Sequence, residues 1–431
     1  MKILNSLFLE QPTVNILKHI DSKDVPWDSE AILLYIKSGL GKLKLVNGKT
    51  EKGLVKKFLL LNGIPLVKWH EDDYCCPTCE KLISAGYGID TVDPKILEMI
   101  KSIRGNNATI EENILELTPI LRLLEENIYM VSKITLYPTN GVGGFFWDVK
   151  NKPKSLWSTC DTYYKLHVSA GYPAYLLPTQ TPKCFNEKQV EFYRKKLRDG
   201  EKLCGLAVYI DGYLCALLDG HHRATACLLE GKEFSCMTIV PMNGWAKNVQ
   251  ENKEYAMFGG YSINADDIDE RIRKKLSENF MKPIRLDTKG VEEYLALIND
   301  IWDNYVWTDE FNQKAKCFPT VEGLSSIQMA GDLSDERIEE LLTLKRRDYE
   351  DDLGMAFNAL TVKDKNRAKK LALRLGKSER YLFMWESVMK YLSCYMDEEV
   401  EQFFIDFLIN DDKMRRGLTK IADDYFRVNS N

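Results

Sequence analysis

Between Tyr213 and Gly231 an apolar run meets a helix-forming run across five residues, Asp219-Gly220-His221-His222-Arg223. Tyr213 to Leu218 has the composition of a buried strand, and Ala224 to Glu230 consists largely of helix formers with Gly231 as a stop. A glycine at such a junction lets backbone approach a ligand closely. The first N–H groups of the helix point outward there, at the positive end of its dipole. The pattern predicts an anion site, and Arg223 adds a forked donor suited to phosphate oxygens. The plain alternative is an ion pair between Arg223 and Asp219, with the histidines as filler.

The flanks predict more of the architecture. Glu187 to Leu197 reads as a helix. Ala207 to Ile210 and Tyr213 to Leu218 read as strands joined by Asp211-Gly212, a two-residue hairpin signal. Phe234 to Val240 reads as a strand after the motif helix. This order, with Asp-Gly-His-His-Arg and the small residues after it, resembles the ParB/sulfiredoxin superfamily over roughly residues 155–244.

That superfamily holds several activities. Sulfiredoxins carry a Gly-Cys-His-Arg version with a reactive Cys, and His221 stands at that position here, so sulfinic acid reduction is not implied. Chromosome-partition ParB proteins carry a Gly-Glu-Arg-Arg-like version, bind CTP and add DNA-binding helices. Free serine kinases of the superfamily carry Asp-Gly-x-His-Arg, which Asp219, Gly220, His222 and Arg223 match. The resemblance implies a nucleotide, ATP or ADP with Mg²⁺, bound through Gly220, His221, His222, Arg223 and Thr225. It implies catalytic roles for Asp219 and His222, with Glu187 the candidate base by placement alone. The expected function is a small-molecule phosphotransferase or a nucleotide hydrolase. A nucleotide-responsive ParB-like regulator or DNA-binding protein, and a non-catalytic binding scaffold, are the alternatives.

At 431 residues the chain exceeds one ordinary core, which predicts two or three domains. The net charge of −5 argues against a DNA-coating surface. The basic runs Arg271 to Lys275 and Lys345 to Arg347 have acidic neighbours and read as solvated helix faces. Nucleic acid is therefore not an expected partner. No stretch has the length and apolarity of a membrane span. Glu10, Gln11 and Pro12 interrupt the early apolar run, so no signal peptide is expected. The 11 cysteines then read as reduced thiols of a cytoplasmic protein, with Cys204, Cys215 and Cys227 as core filler.

The expected fold class is α+β in three parts. Residues 1–150 form a mixed α/β segment, 155–244 the ParB/sulfiredoxin-like domain, and 250–431 an all-α region of HEAT-like helix pairs open to a protein partner. Within the first part, Leu43 to Val46 predicts a strand entering a turn at Asn47-Gly48. Gly53 to Leu61 and Pro94 to Ile103 predict helices. Thr118-Pro119 predicts an N-cap and first turn of a helix reaching Val131. Ile134 to Tyr137 predicts a strand, and the glycines between Pro138 and Gly144 read as a hairpin turn rather than a phosphate loop. In the last part, Ile268 to Leu276, Val291 to Trp302, Asp335 to Leu344 and Asp364 to Leu375 have helical spacing. Ser334 is placed as an N-cap, and Val400, Phe403, Phe404, Phe407 and Leu408 form a core stripe.

A second constellation is the run from His70 to Cys79. Cys76-Pro77-Thr78-Cys79 has the form of a zinc knuckle, and Cys75 and His70 could complete four ligands. No second Cys-x-x-Cys exists to make a ribbon, so Cys160 or Cys184 could serve as a distant ligand. Structural Zn²⁺, a redox pair and plain reduced thiols all remain open on this pattern.

Overall fold

The structure is a computed structural model that describes residues 11–27, 29–49, 55–70, 83–85, 89–107, 109–139, 145, 172–180, 184–280, 310, 326–327, 329–344, 349–410 and 415–429. The chain forms two compact units, Met1–Thr308 and Asp309–Asn431.

The first unit is α+β. Its elements are β1 (Thr13–Ile20), β2 (Ala31–Lys37), β3 (Leu43–Lys49), β4 (Val55–Leu61), β5 (Ile64–His70) and β6 (Ile83–Ala85), then helices α1 (Pro94–Ser102) and α2 (Ile110–Leu121). There follow β7 (Asn127–Thr135), β8 (Tyr137–Pro138), β9 (Tyr175–Leu177), α3 (Glu187–Arg198), β10 (Cys204–Asp211), β11 (Leu214–Asp219), α4 (His221–Leu229) and β12 (Ser235–Pro241). The last elements among the unit's described residues are β13 (Gly244–Asn248), β14 (Lys253–Phe258), β15 (Tyr261–Asn264) and α5 (Glu270–Phe280).

Eight strands make one mixed sheet in the order β1-β2-β7-β12-β10-β11-β9-β8. β10 and β11 are an antiparallel hairpin, and β12 returns parallel to β10 after α4. The central strands are buried almost throughout, which is why they read as near-continuous apolar runs rather than alternations. The helix, hairpin, motif, helix and strand expected between 187 and 240 all form in that order.

The expected boundary near residue 150 is not a domain boundary. β7 pairs with β12 from Ser235↔Thr135 to Pro241↔Tyr129, and β7 also pairs with β2, so the first segment and the motif region share one sheet. Non-local pairing decided this, and nothing in local composition marks it. The chain also does not turn all-α at 250, because β13, β14 and β15 form a three-stranded meander before α5.

Three local expectations are corrected. The described part of the helix expected from Gly53 to Leu61 is a strand instead: β4 pairs with β3 on one side and β5 on the other, burying Phe58, Leu59, Leu60 and Leu61. A short apolar run fits strand and helix equally until its neighbours are known. Asn47-Gly48 makes no turn, since both residues pair with β4 inside β3. Thr118 is not an N-cap. Thr109, nine residues before Thr118, forms a capping box with Glu112, and Pro119 lies inside α2. The residues beyond α2 up to Val131 enter β7, where Ile128, Tyr129 and Val131 are buried between two neighbouring strands.

The second unit is helical among its described residues. It contains α6 (Asp335–Thr343), α7 (Tyr349–Lys363), α8 (Lys365–Gly376), α9 (Trp385–Leu392), α10 (Glu398–Asn410) and α11 (Arg416–Asn429). Ser334 caps α6 through Arg337 N–H, and Asp364 caps α8 through Arg367 N–H. Val400, Phe403, Phe404 and Phe407 are buried in the unit's core, with Leu408 packed against it. Val291 to Trp302 and Lys345 to Arg347 lie outside the described residues. No helix among the described residues is long and apolar enough to cross a membrane.

Candidate functional site

β11 ends on Asp219 and α4 begins at His221, so Gly220 makes the whole junction. Its φ is 117°, a left-handed conformation that a side chain rarely adopts. A Cβ there would also stand 3.1 Å from both Gly205 Cα on β10 and Phe234 Cζ. The glycine thus lets α4 leave the sheet against the neighbouring strand. As N-cap it brings no side-chain acceptor to the helix start.

His221 through Cys227 are all buried. Arg223 forms an ion pair with Asp219 across the junction, its side chain 7% exposed against 23% for the carboxylate. The pair follows the i,i+4 spacing that the sequence offered as the plain alternative. The site therefore carries no unbalanced guanidinium charge.

The histidines hold two other segments. His221 Nε2 accepts N–H bonds from Thr179 at 3.1 Å and Gln180 at 3.2 Å. Thr179 is anchored in turn, its hydroxyl donating to the Leu217 carbonyl on β11. Burial, and then the neighbouring His222 and Arg223, push the His221 imidazole well below its ordinary range, so it is neutral. With Nε2 accepting, its proton sits on Nδ1. His222 Nε2 lies 3.0 Å from the Asn186 N–H and 3.1 Å from the Cys184 carbonyl, and its ring stacks on Phe185.

The remaining candidates sort by position. Thr225 is fully buried and its hydroxyl donates to the His221 carbonyl at 2.9 Å, a bond inside the helix. Glu187 is exposed at the first turn of α3, next in the chain to Asn186, whose side chain caps that helix. Glu187 thus follows in the chain the residue whose backbone N–H meets His222. Further along, Arg194 and Arg198 both reach Glu230 at 2.7 Å, clamping α3 on α4. The hydrogen bonds from Arg198 and then Arg194 hold the Glu230 carboxyl below its usual range. Thr179, Phe185 and Asn186 were not foreseen. Only Asn186 had a local signal, as a cap residue before a predicted helix.

Cys204, Cys215, Cys227 and Cys236 are buried thiols. Burial raises all four, Cys227 to about 12, which keeps them protonated and packed as core. The expected metal cluster falls elsewhere: Cys75, Cys76, Cys79 and the His70 side chain lie outside the described residues, as does Cys160. The backbone of His70 ends β5 opposite Lys56. Among the described residues no group of three or more His, Cys, Asp or Glu is placed to hold a metal ion.

Comparison with protein-family models, with curated proteins and with solved structures returns no match to this chain.

Proposed function

We propose that the β11–α4 junction binds the phosphates of a nucleotide and that the first unit is a small-molecule phosphotransferase or nucleotide hydrolase of the ParB/sulfiredoxin kind. The observation that carries this reading is the start of α4. A helix that begins on a glycine without a side-chain cap has Arg223 in its first turn, and two adjacent histidines hold separate chain segments against it. Helix N-termini attract anions through their N–H groups and dipole. ATP or ADP with Mg²⁺ is the ligand class, Asp219 the carboxylate available to a metal or substrate hydroxyl, and Glu187 the base on the acceptor. His222 is the imidazole whose Nε2 can both accept and donate.

A second reading, a binding scaffold without turnover, is favoured by one observation: Arg223 and both Nε2 atoms already engage protein groups. The ParB-like DNA-binding alternative gains little support, since Arg273 and Lys275 on α5 pair with Asp266 and Glu126.

The test is thermal unfolding with ATP, ADP, CTP and GTP, each with Mg²⁺, followed by assay of phosphate release or transfer. A ligand at a hundred times its Kd stabilises by about 2.7 kcal/mol. Stabilisation with turnover supports the enzyme, stabilisation without turnover the scaffold. No stabilisation by any of the four rejects the nucleotide site.

A further inference from the structure

Gly220 permits the turn from β11 into α4 but does not hold it, because glycine keeps more backbone freedom than any other residue. Something else has to set the direction in which α4 leaves the strand. One brace is the Asp219–Arg223 pair, from the strand end to the first helical turn. A second comes from outside the motif, at Thr179.

β9 runs parallel to β11, with Leu177 opposite Ala216. The next residue, Pro178, has no N–H to extend that ladder. Thr179 follows, fully buried, and each of its polar groups meets a different stretch of chain. Its hydroxyl donates to the Leu217 carbonyl near the end of β11. Its N–H donates to His221 Nε2, 3.1 Å away at the start of α4. Its carbonyl accepts the Ile89 N–H at 3.3 Å, from the 3₁₀ turn Ile89–Thr91 that precedes α1. Leu217 and His221 lie on either side of Gly220, so one residue grips the bend on both sides.

We propose that Thr179 is a positioning residue of the β11–α4 junction: through its hydroxyl and its N–H it fixes the angle of the bend and the orientation of His221, and with them the direction in which the first turn of α4 presents its N–H groups. Any residue but proline supplies the N–H, whereas only Ser or Thr supplies this short hydroxyl. The Gln180 N–H shares the same imidazole acceptor at 3.2 Å, so the ring meets two consecutive backbone donors. The Thr179 hydroxyl is what ties those donors to the strand. Without it, the donors and the imidazole they meet lose their link to β11 at Leu217. The consequence for ligand binding rests on the phosphate reading of the junction, and the brace itself does not.

The test uses Thr179→Val, which keeps the shape and removes the hydroxyl, and Thr179→Ser, which keeps the hydroxyl. Both are made in the full chain. The ring nitrogens of ¹⁵N-histidine are read by NMR at about pH 7.5, where an ordinary imidazole is neutral. The His221 ring is assigned with His221→Asn. The expected result is that Thr179→Val moves the His221 ring signals and Thr179→Ser leaves them at the wild-type positions. With ATP, ADP, CTP or GTP and Mg²⁺, Thr179→Val should weaken binding about tenfold, the scale of one lost hydrogen bond, and Thr179→Ser should bind as the wild type does. Wild-type His221 signals in a folded Thr179→Val protein overturn the proposal, and so does a Thr179→Ser protein that fails to keep them. A Thr179→Val protein that binds nucleotide as tightly as the wild type also overturns it, since a merely structural residue would behave that way. If the wild-type protein binds none of the four, the phosphate reading falls, and the ring signals alone decide the brace. If Thr179→Val does not fold, hydrogen exchange in the wild-type protein decides. A sample labelled with ¹³C′-Pro and ¹⁵N-Thr selects five Pro-Thr amides, those of Thr13, Thr78, Thr139, Thr179 and Thr320, and Thr179→Ser identifies its own by removing it. A protected Thr179 amide supports the brace, and one that exchanges freely overturns it.

Discussion

Arg223 is buried against Asp219, one helical turn away across the Gly220 bend, and this ion pair ties the end of β11 to the first turn of α4. Its partner keeps some solvent contact while the guanidinium has almost none. The pair is thus a structural element of the junction as well as part of the candidate site.

Replacing Arg223 tests both roles, and the choice of residue matters. Arg223→Ala removes a buried side chain and leaves Asp219 uncompensated, which should cost about 3 kcal/mol, the lower end of the range for a broken buried pair. Urea unfolding measures this. Arg223→Lys keeps the charge and should lose less than half as much stability, while nucleotide stabilisation disappears because the forked donor is gone. Unchanged nucleotide stabilisation in a folded Arg223→Lys protein would remove Arg223 from the site.

Gly220 should tolerate no side chain. Gly220→Ala combines a left-handed φ with a Cβ 3.1 Å from the Gly205 backbone, so a loss of about 2 to 3 kcal/mol is expected. Gly231, at the other end of α4, has φ 64° and open space around its Cβ position. Gly231→Ala should cost only about 1 kcal/mol, for backbone conformation alone. Equal losses in the two variants, measured by the same denaturant titration, would show that the approach to β10 carries no energy.

The His221 imidazole gives the stability a pH dependence of known sign. Its folded proton affinity lies well below the ordinary value of 6.5. Below that pH the unfolded chain takes up a proton that the folded chain refuses. Stability is therefore full above about pH 6.5 and falls as the pH drops, by up to about 1.4 kcal/mol per pH unit from this residue, until the folded pKa is reached. His221→Asn should be less stable at neutral pH and show a shallower acid slope. The comparison of unfolding free energies at several pH values between 5 and 7.5, spanning the usual histidine range, checks it. An identical slope in both proteins refutes the assignment.

The second unit offers a separate handle. Gly376 ends α8, and a Cβ there would stand 2.6 Å from the ring of Phe403 on α10. Gly376→Ala should destabilise that unit by about 1 to 3 kcal/mol through overpacking. Scanning calorimetry should show the loss in one transition while the first unit's transition keeps its midpoint. A shift of every transition together would mean that the two units unfold as one.

The strand, bend and helix around Gly220 were legible in sequence because their signals are local. The apolar run, the glycine and the helix formers between Tyr213 and Gly231 each act on their immediate neighbours, and the strand, bend and helix form where they predict. The helix from Glu187 and the cap at Ser334 followed in the same way, and the expected hairpin forms with its turn at Gly212-Tyr213, one residue beyond Asp211-Gly212. What each histidine does was not legible. His221 and His222 differ by one position, yet one faces Thr179 and Gln180 and the other faces Cys184 and Asn186, more than thirty residues upstream.

By itself, then, the sequence determined the bend at Gly220, the cap at Ser334 and the stop at Gly231, which backbone sterics and hydrogen bonding decide within a few residues, whereas the same kinds of local signal at Thr118 and Asn47-Gly48 were overridden. Only the tertiary structure decided which strands neighbour one another. Asn127–Thr135 became a central strand because β2 and β12 bury it from both sides, and 55–61 became β4 because β3 and β5 supply its hydrogen-bond partners. Pairing energy of that kind depends on residues distant in sequence, so no local window contains it. The Asp219–Arg223 pair lies between these cases. Its i,i+4 spacing was written in the chain, but its burial came from the sheet and helix that close over it.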